Sequence, residues 1–198
     1  LRIRIGGKKA DTCKDCSLDN IKDALAYRLL EGDRNAVYEL VDMYYHRIYL
    51  YMRRLGHSQQ ISEDLTQEIF LQAWKHIGQL RNTQALGGWI YRIAGNVSNQ
   101  YWRKHKGKEQ VSIDEILPPN STDEKDSSRT SEDQEQISRL HEAVERLPLK
   151  LKQAVILHYM QHLTISEAAD AMGLSEGTLK SRLNRALKIL KKKVDRFL

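Results

Sequence analysis

The chain is poor in the residues that staple or stiffen small proteins. Only two cysteines occur in 198 residues, which excludes a disulfide framework. They stand as Cys13 and Cys16 in Asp-Thr-Cys-Lys-Asp-Cys. A Cys-x-x-Cys pair can supply half of a zinc site or a redox switch, but no second cysteine pair completes four ligands. His141, His158 or His162 would complete them only if the tail folded back, and a plain polar tail is the simpler reading. Three prolines, 11 glycines and no alternating apolar run beyond Leu1–Ile5 leave little support for sheets, so an all-α protein is expected. Aromatic residues make up 7% and hydrophobic residues 40%, enough for small cores. No apolar run approaches the ~18 residues of a membrane span. No secretory leader is recognisable, so the expected location is the cytoplasm. No Ser/His/Asp set, paired carboxylates or phosphate-cradling glycines point to catalysis, and no cofactor or metal is expected.

What is present is clearest in Thr164–Leu190. Thr164 followed by Glu167 is a capping box, which starts a helix. Gly173 ends it, because glycine takes the left-handed conformation cheaply. Ser175 can cap a second helix from Glu176. Ala169, four residues before the turn glycine, allows close crossing, and Leu179, six residues after it, can plug the angle. This is a helix-turn-helix, whose second helix enters the DNA major groove.

That second helix divides by face. Leu179, Leu183, Ala186, Leu187, Leu190 and Val194 recur at helical spacing and are expected inside. Lys180, Arg182, Arg185, Lys188, Lys191, Lys192, Lys193 and Arg196 occupy the rest, opposed by Asp195 alone. With a net charge of +6 for the whole chain, a polyanion is the natural partner.

Upstream, residues 1–17 lack periodicity and read as a mobile arm. Leu25 and Leu29, then Val37, Leu40, Val41, Tyr44, Ile48, Tyr51 or Met52 and Leu55, form helical stripes broken at Gly32 and Gly56. A third helix is expected from near Ser62, with Leu65, Ile69, Ala73 and Ile77 inward and Phe70 and Trp74 widening the stripe. Glu63 and Asp64 suit the positive end of its dipole. Gln67 and Glu68 lie too far along for that, and suggest a docking face for a protein partner. Gly78–Gly88 reads as a loop long enough to form a pocket. In the following run, Trp89, Ile93 and Val97 keep the helical period. Asn96, Asn99, Gln100, Tyr101, Trp102, Arg103, Lys104 and Lys106 make a polar, aromatic and basic surface. That composition suits single-stranded nucleic acid, where each base stacked on a ring contributes ~1–3 kcal/mol.

From Glu109 to Glu135 nine acidic residues meet only Lys125 and Arg129, with Pro118-Pro119 and few apolar groups. This is read as a flexible acidic linker over 109–131. Ser131-Glu132-Asp133-Gln134 then offers another capping box. Ile137, Leu140, Val144 and Leu147 form one helix, stopped or bent at Pro148. Leu151, Ala154, Val155 and Tyr159 or His158 form the next. A compact tetrahelical module ending in the helix-turn-helix is expected.

These motifs, in this order, resemble the bacterial sigma factors of the extracytoplasmic-function group, over about Leu18 to Leu190. DLTQEIFLQAW (Asp64–Trp74) is similar to the segment that binds the clamp helices of the polymerase largest subunit, which implies contacts through Asp64, Gln67 and Glu68. WIYRIAGNVSNQYWRK (Trp89–Lys104) resembles the region that captures and melts the −10 element, implying roles for Arg92, Asn96, Asn99, Gln100, Tyr101, Trp102, Arg103 and Lys104. LPLKLKQAVIL (Leu147–Leu157) with Thr164–Leu187 resembles the domain that reads the −35 element and touches the flap of the second subunit. Ser175, Glu176, Thr178, Lys180, Ser181, Arg182, Arg185 and Lys188 would then face that DNA. The resemblance implies two helical domains, over 18–108 and 132–198, core RNA polymerase and promoter DNA as partners, and an anti-sigma factor. Gln100 stands where the family usually carries Asp, and Lys152-Gln153 where an Arg is common. A free-standing helix-turn-helix regulator is the rival reading. It predicts specific DNA binding by the protein alone and no stable association with core polymerase.

Overall fold

A computed structural model describes residues 13–105 and 140–194. Residues 1–12 of the arm read over 1–17, the acidic linker over 109–131 and the capping box at 131–134 lie outside the described residues. All regular structure among the described residues is helical. The N-terminal half holds α1 (Cys13–Leu30), α2 (Arg34–Arg54), α3 (Gln59–His76) and α4 (Leu86–Lys104), with 3-10 turns at Ile77–Gln79 and Thr83–Ala85 before α4. The C-terminal half holds helical residues 140–145 (α5), α6 (Leu149–Val155) continued by a π turn over Ile156–Met160, α7 (Ile165–Met172) and α8 (Glu176–Val194).

Local chemistry sets most boundaries. Gly32 and Gly56, at φ 82 and 93, close α1 and α2 in the left-handed region. Asp33 caps α2 by accepting from the Asn35 N–H at 2.9 Å. Arg28 bridges Asp33 at 2.7 Å and Glu39 at 2.8 Å, tying α1 to α2. The third helix starts at Gln59 rather than near Ser62, because Ser58 is its cap and Ser62 lies fully buried one turn in. The first helix likewise reaches back to Cys13, into the span read as an arm.

The loop before α4 is shorter than expected. Leu86, Gly87 and Gly88 are helical, and both glycines serve close approach. A Cβ on Gly87 would sit 3.3 Å from the Tyr44 hydroxyl, and one on Gly88 would sit 3.2 Å from the Glu167 carbonyl oxygen. The inward face of α4 is also rotated. Leu86, Ile90, Tyr91, Ala94, Val97 and Ser98 are buried, while Trp89 and Ile93 are half-buried at its margin.

Tyr44, Ile48, Tyr51, Met52, Ile69, Leu86 and Ile90 form the N-terminal core; Val144, Leu147, Ile156, Leu157, Ala168, Leu179 and Ala186 form the C-terminal one. The two are contiguous, because α4 packs along α7. Leu140 is 44% exposed and not a core residue, since its neighbours Ala143, Val144 and Leu147 already fill the inward face of α5.

Candidate nucleic-acid interface

The helix-turn-helix forms as its residues dictate. Thr164 Oγ1 accepts from the Glu167 N–H at 3.2 Å, and the Glu167 carboxylate accepts from the Thr164 N–H at 2.8 Å. Gly173 has φ 63 and ψ 40, so the chain turns without a Cβ penalty. Ser175 Oγ accepts from the Thr178 N–H at 3.3 Å and starts α8. Leu179 is fully buried in the angle between α7 and α8, with Leu183, Ala186 and Leu190 behind it. Leu187, expected inside, is 42% exposed, because Ala186 and Leu190 take the inward positions on either side of it. Val194 lies at the end of α8, where no side chain is described.

The face left to solvent is cationic. Lys180, Arg185, Lys188, Lys191 and Lys192 are exposed, as are Ser175, Glu176, Thr178 and Ser181; Arg182 is half-buried. Lys180 pairs with Glu176 at 3.3 Å across one helical turn. Ahead of the motif, the π turn brings the Gln161 N–H to the Ile156 carbonyl at 2.9 Å. His162 follows with φ 56, and His158 Nδ1 meets the Leu163 carbonyl at 2.8 Å. π turns of this kind recur at functional sites.

On α4, Arg92, Asn96, Asn99, Gln100, Arg103 and Lys104 are exposed. Tyr101 and Trp102 are not an open stacking platform. Both are half-buried, and Trp102 stacks on His57 with ring centroids 4.8 Å apart and planes 20° apart. Tyr101 meets His57 edge-on at 5.0 Å and stacks on His105 at 4.2 Å. His57 is the hub of this cluster, with Nε2 2.8 Å from Ser98 Oγ. Burial, and then the Lys152 cation, push its pKa down to about 4, so the ring is neutral.

On α3, Asp64, Gln67 and Glu68 are exposed, with Glu68 accepting from Gln72 at 2.8 Å. Leu71 at 56% and Trp74 at 39% exposure continue the same stripe at i+3 and i+4 spacing. Trp74, expected to widen the core stripe, is therefore part of the surface. Tyr45 of α2, 38% exposed, stacks on Phe70 beside it. The patch is acidic along one edge and apolar along the other.

Two family models match the chain: sigma-70 region 2 over residues 40–108, from α2 through α4, and sigma-70 region 4 over residues 137–190, from α5 through most of α8. Together they span more than half of it. The RNA polymerase sigma factor SigV of Bacillus subtilis is 31% identical over 128 residues, covering 65% of this chain and 72% of SigV. The chain belongs to the sigma-70 family, in the extracytoplasmic-function group. The ECF RNA polymerase sigma factor SigW of Bacillus subtilis is 28% identical over 181 residues, covering 83% of this chain and 91% of SigW. A solved structure of CnrH in complex with the cytosolic domain of CnrY shares the fold, at TM-score 0.66 and 19% identity over 88% of this chain and 97% of that one.

In this sigma factor the three surfaces fall on three separate helices, α3, α4 and α8. Leu71 and Tyr45 were missed from sequence as parts of the α3 patch, and His57 and Ser98 as the buried support beneath Tyr101 and Trp102. No helix among the described residues is long and apolar enough to cross a membrane, and no group of metal-ligating side chains occurs among them. Cys13 and Cys16 fall in the first turn of α1, where no side chain is described.

Proposed function

We propose that this sigma factor docks on core RNA polymerase through the α3 patch, reads the −35 element with α8, and captures and melts the −10 element with α4. One observation carries the reading: a capped helix-turn-helix with a cationic solvent face shares a chain with a second helix whose exposed side is amide-rich and basic. Each alone would serve a plain DNA-binding protein. Together they suit two contacts on one duplex, with avidity that needs no dimer.

The roles follow from chemistry. Ser175, Glu176, Thr178, Lys180, Ser181, Arg182 and Arg185, toward the start of α8, are placed to reach base edges. Lys188, Lys191 and Lys192, further along, suit phosphates, which supply affinity without sequence information. On α4, Asn96 and Asn99 offer paired donors and acceptors to an extruded base. Arg103 and Lys104 suit the displaced strand's backbone. Extruding a base costs a few kcal/mol, offset by the polymerase and backbone contacts. Asp64, Gln67 and Glu68 supply the polar half of the polymerase contact, and Leu71 and Trp74 the apolar half. An anti-sigma factor covering the same surfaces fits this reading.

The test is transcription of fragmented genomic DNA by purified core polymerase, with start sites mapped. Adding this protein is expected to create new, discrete starts sharing paired upstream elements. Specific binding without any new start, and without association with core polymerase, would establish a free-standing regulator instead.

A further inference from the structure

We propose that the cleft where α4, α6 and α8 meet is a binding site for a phosphate group, either the free ion or the phosphate end of a small metabolite.

The cleft has a volume of about 170 Å³ and draws its polar lining from Tyr51 of α2, Asn96 and Asn99 of α4, Lys150 and Gln153 of α6, and Arg182 of α8. Glycine and apolar side chains make up the rest, and none of the lining residues is acidic. Two cations therefore converge on one small space from different helices. Neither Lys150 nor Arg182 forms an ion pair among the described residues. Glu145 of α5 and Glu176 at the start of α8 are already paired, with Lys152 and Lys180. Like charges held together without a counterion repel, and an anion between them removes that cost.

The amides are set to donate as well. Gln153, 6% exposed, donates through Nε2 to Asn99 Oδ1 at 3.1 Å. That bond occupies the Asn99 carbonyl oxygen and leaves its two N–H groups for a ligand. The Tyr51 hydroxyl lies 3.8 Å from where a Cβ on Gly95 would stand, and Gly95 is part of the lining. Burial first, then the neighbouring Tyr91, raise the Tyr51 phenol well above its ordinary pKa, so it stays a neutral donor. Asn96, Asn99 and Lys150 are exposed, so the cleft opens to solvent past them and an ion can enter.

Charge, shape and size select the ligand. A phosphate monoester carries about −1.5 to −2 near neutral pH, which matches the two cations. Its oxygens point in several directions, as donors from several helices require, and two of them suit the planar fork of Arg182. A volume of about 170 Å³ equals that of about five or six waters in the liquid. Pockets for drug-sized ligands begin at about 300 Å³, so a phosphate group fits where a whole nucleotide does not. Asn96, Asn99 and Arg182 are shared with the promoter contacts proposed above, whereas Lys150 belongs to the cleft alone.

The test is thermal unfolding of the full chain in rising inorganic phosphate, at an ionic strength held constant with sodium chloride, beside phosphorus NMR line broadening. The transition temperature is expected to rise and saturate, by about 4 °C at ten times the half-saturating concentration. Lys150→Gln, at an exposed position, is expected to keep the fold and to raise that concentration about tenfold or more, through the loss of one hydrogen bond to a charged group. Lys191→Gln, at an exposed position further along α8, is expected to leave it unchanged. A rise that never saturates, or one equal in the wild type and Lys150→Gln, is the general salting effect of phosphate and would overturn the site. A Lys150→Gln protein that keeps the phosphate response but loses promoter affinity in the holoenzyme would also overturn it, and would make Lys150 a DNA contact.

Glycerol phosphate in place of the ion separates the two sources. Tighter binding than inorganic phosphate, lost in Lys150→Gln, identifies the phosphate end of a small metabolite as the occupant. Equal or weaker binding, lost in the same way, identifies the free ion.

Discussion

The His57 cluster turns burial into a measurable pH dependence. His57 is 2% exposed, hydrogen-bonded to Ser98, stacked on Trp102, edge-on to Tyr101 and faced by Lys152 of α6. Burial first and Lys152 second lower its pKa from 6.5 to about 4. That difference of about 2.5 units corresponds to about 3.4 kcal/mol between the two protonation states. The unfolded chain takes up this proton near pH 6.5 and the folded chain only near pH 4, so the unfolded state binds more protons in between. The stability contributed by neutral His57 is therefore full above pH 6.5 and is lost as pH falls toward 4. From pH 7.5 to 5.0 the loss from this group comes to about 2 kcal/mol. His141 is shifted the same way by burial and Arg54, so the wild-type profile alone does not isolate His57. His57→Gln removes the titration and leaves His141 in place. Urea unfolding followed by circular dichroism at pH 5.0 and 7.5 is expected to show the wild type losing about 2 kcal/mol more than the variant. Equal losses in the two proteins would refute the account of His57 as a buried neutral ring.

Leu179→Ala, at a fully buried position in the angle of the helix-turn-helix, is expected to cost about 2–5 kcal/mol in thermal or urea unfolding; a cost below 1 kcal/mol would mean that the angle is held elsewhere. Arg182→Ala is expected to relax sequence preference at one promoter position by about 1–3 kcal/mol in competition binding with holoenzyme. A uniform loss across all sequences would make Arg182 a phosphate contact. Charge reversal at Asp64 and Glu68 is expected to abolish co-purification with core polymerase while leaving the helical dichroism unchanged, since both side chains are exposed. Retained binding would remove α3 from the docking role.

What was legible in the sequence was local. The Thr164–Glu167 box, the Gly173 turn and the Leu179 plug are set by residues three to six positions apart, and each stands in the structure as its spacing implied. The start of α3 was misplaced because Ser58 and Ser62 are both competent caps, and only burial of Ser62 decides between them. The inward face of α4 was misplaced for a related reason. Val97 is buried as its spacing implied, but Trp89 and Ile93 hold the helical period as well as Ile90, Tyr91 and Ala94 do. The choice is made by Tyr44 against Gly87 and by Glu167 against Gly88, which no window of consecutive residues contains. Trp74 reads as core by composition and is surface by position, because Ile69 and Ala73 already fill the inward side of α3.

The seam between the halves was out of reach from sequence, since its two side-chain hydrogen bonds join residues 70 and 54 positions apart. Even so, Lys152 and Gln153 stood out as departures from the family pattern, and the seam gives both a physical role. Gln153, 6% exposed, spends its amide on Asn99, and Lys152, 5% exposed, sits between Glu145 and the His57–Trp102 stack. A buried cation paired within its own half adds little net stability, because desolvation offsets most of the attraction. Because Glu145 already pairs with Lys152 within the C-terminal half, the contact between the halves does not depend on an ion pair. What meets the His57–Trp102 stack is a cation with its counterion on its own side, and the side-chain ties across to α4 are the neutral Tyr91–Gln161 and Asn99–Gln153 hydrogen bonds.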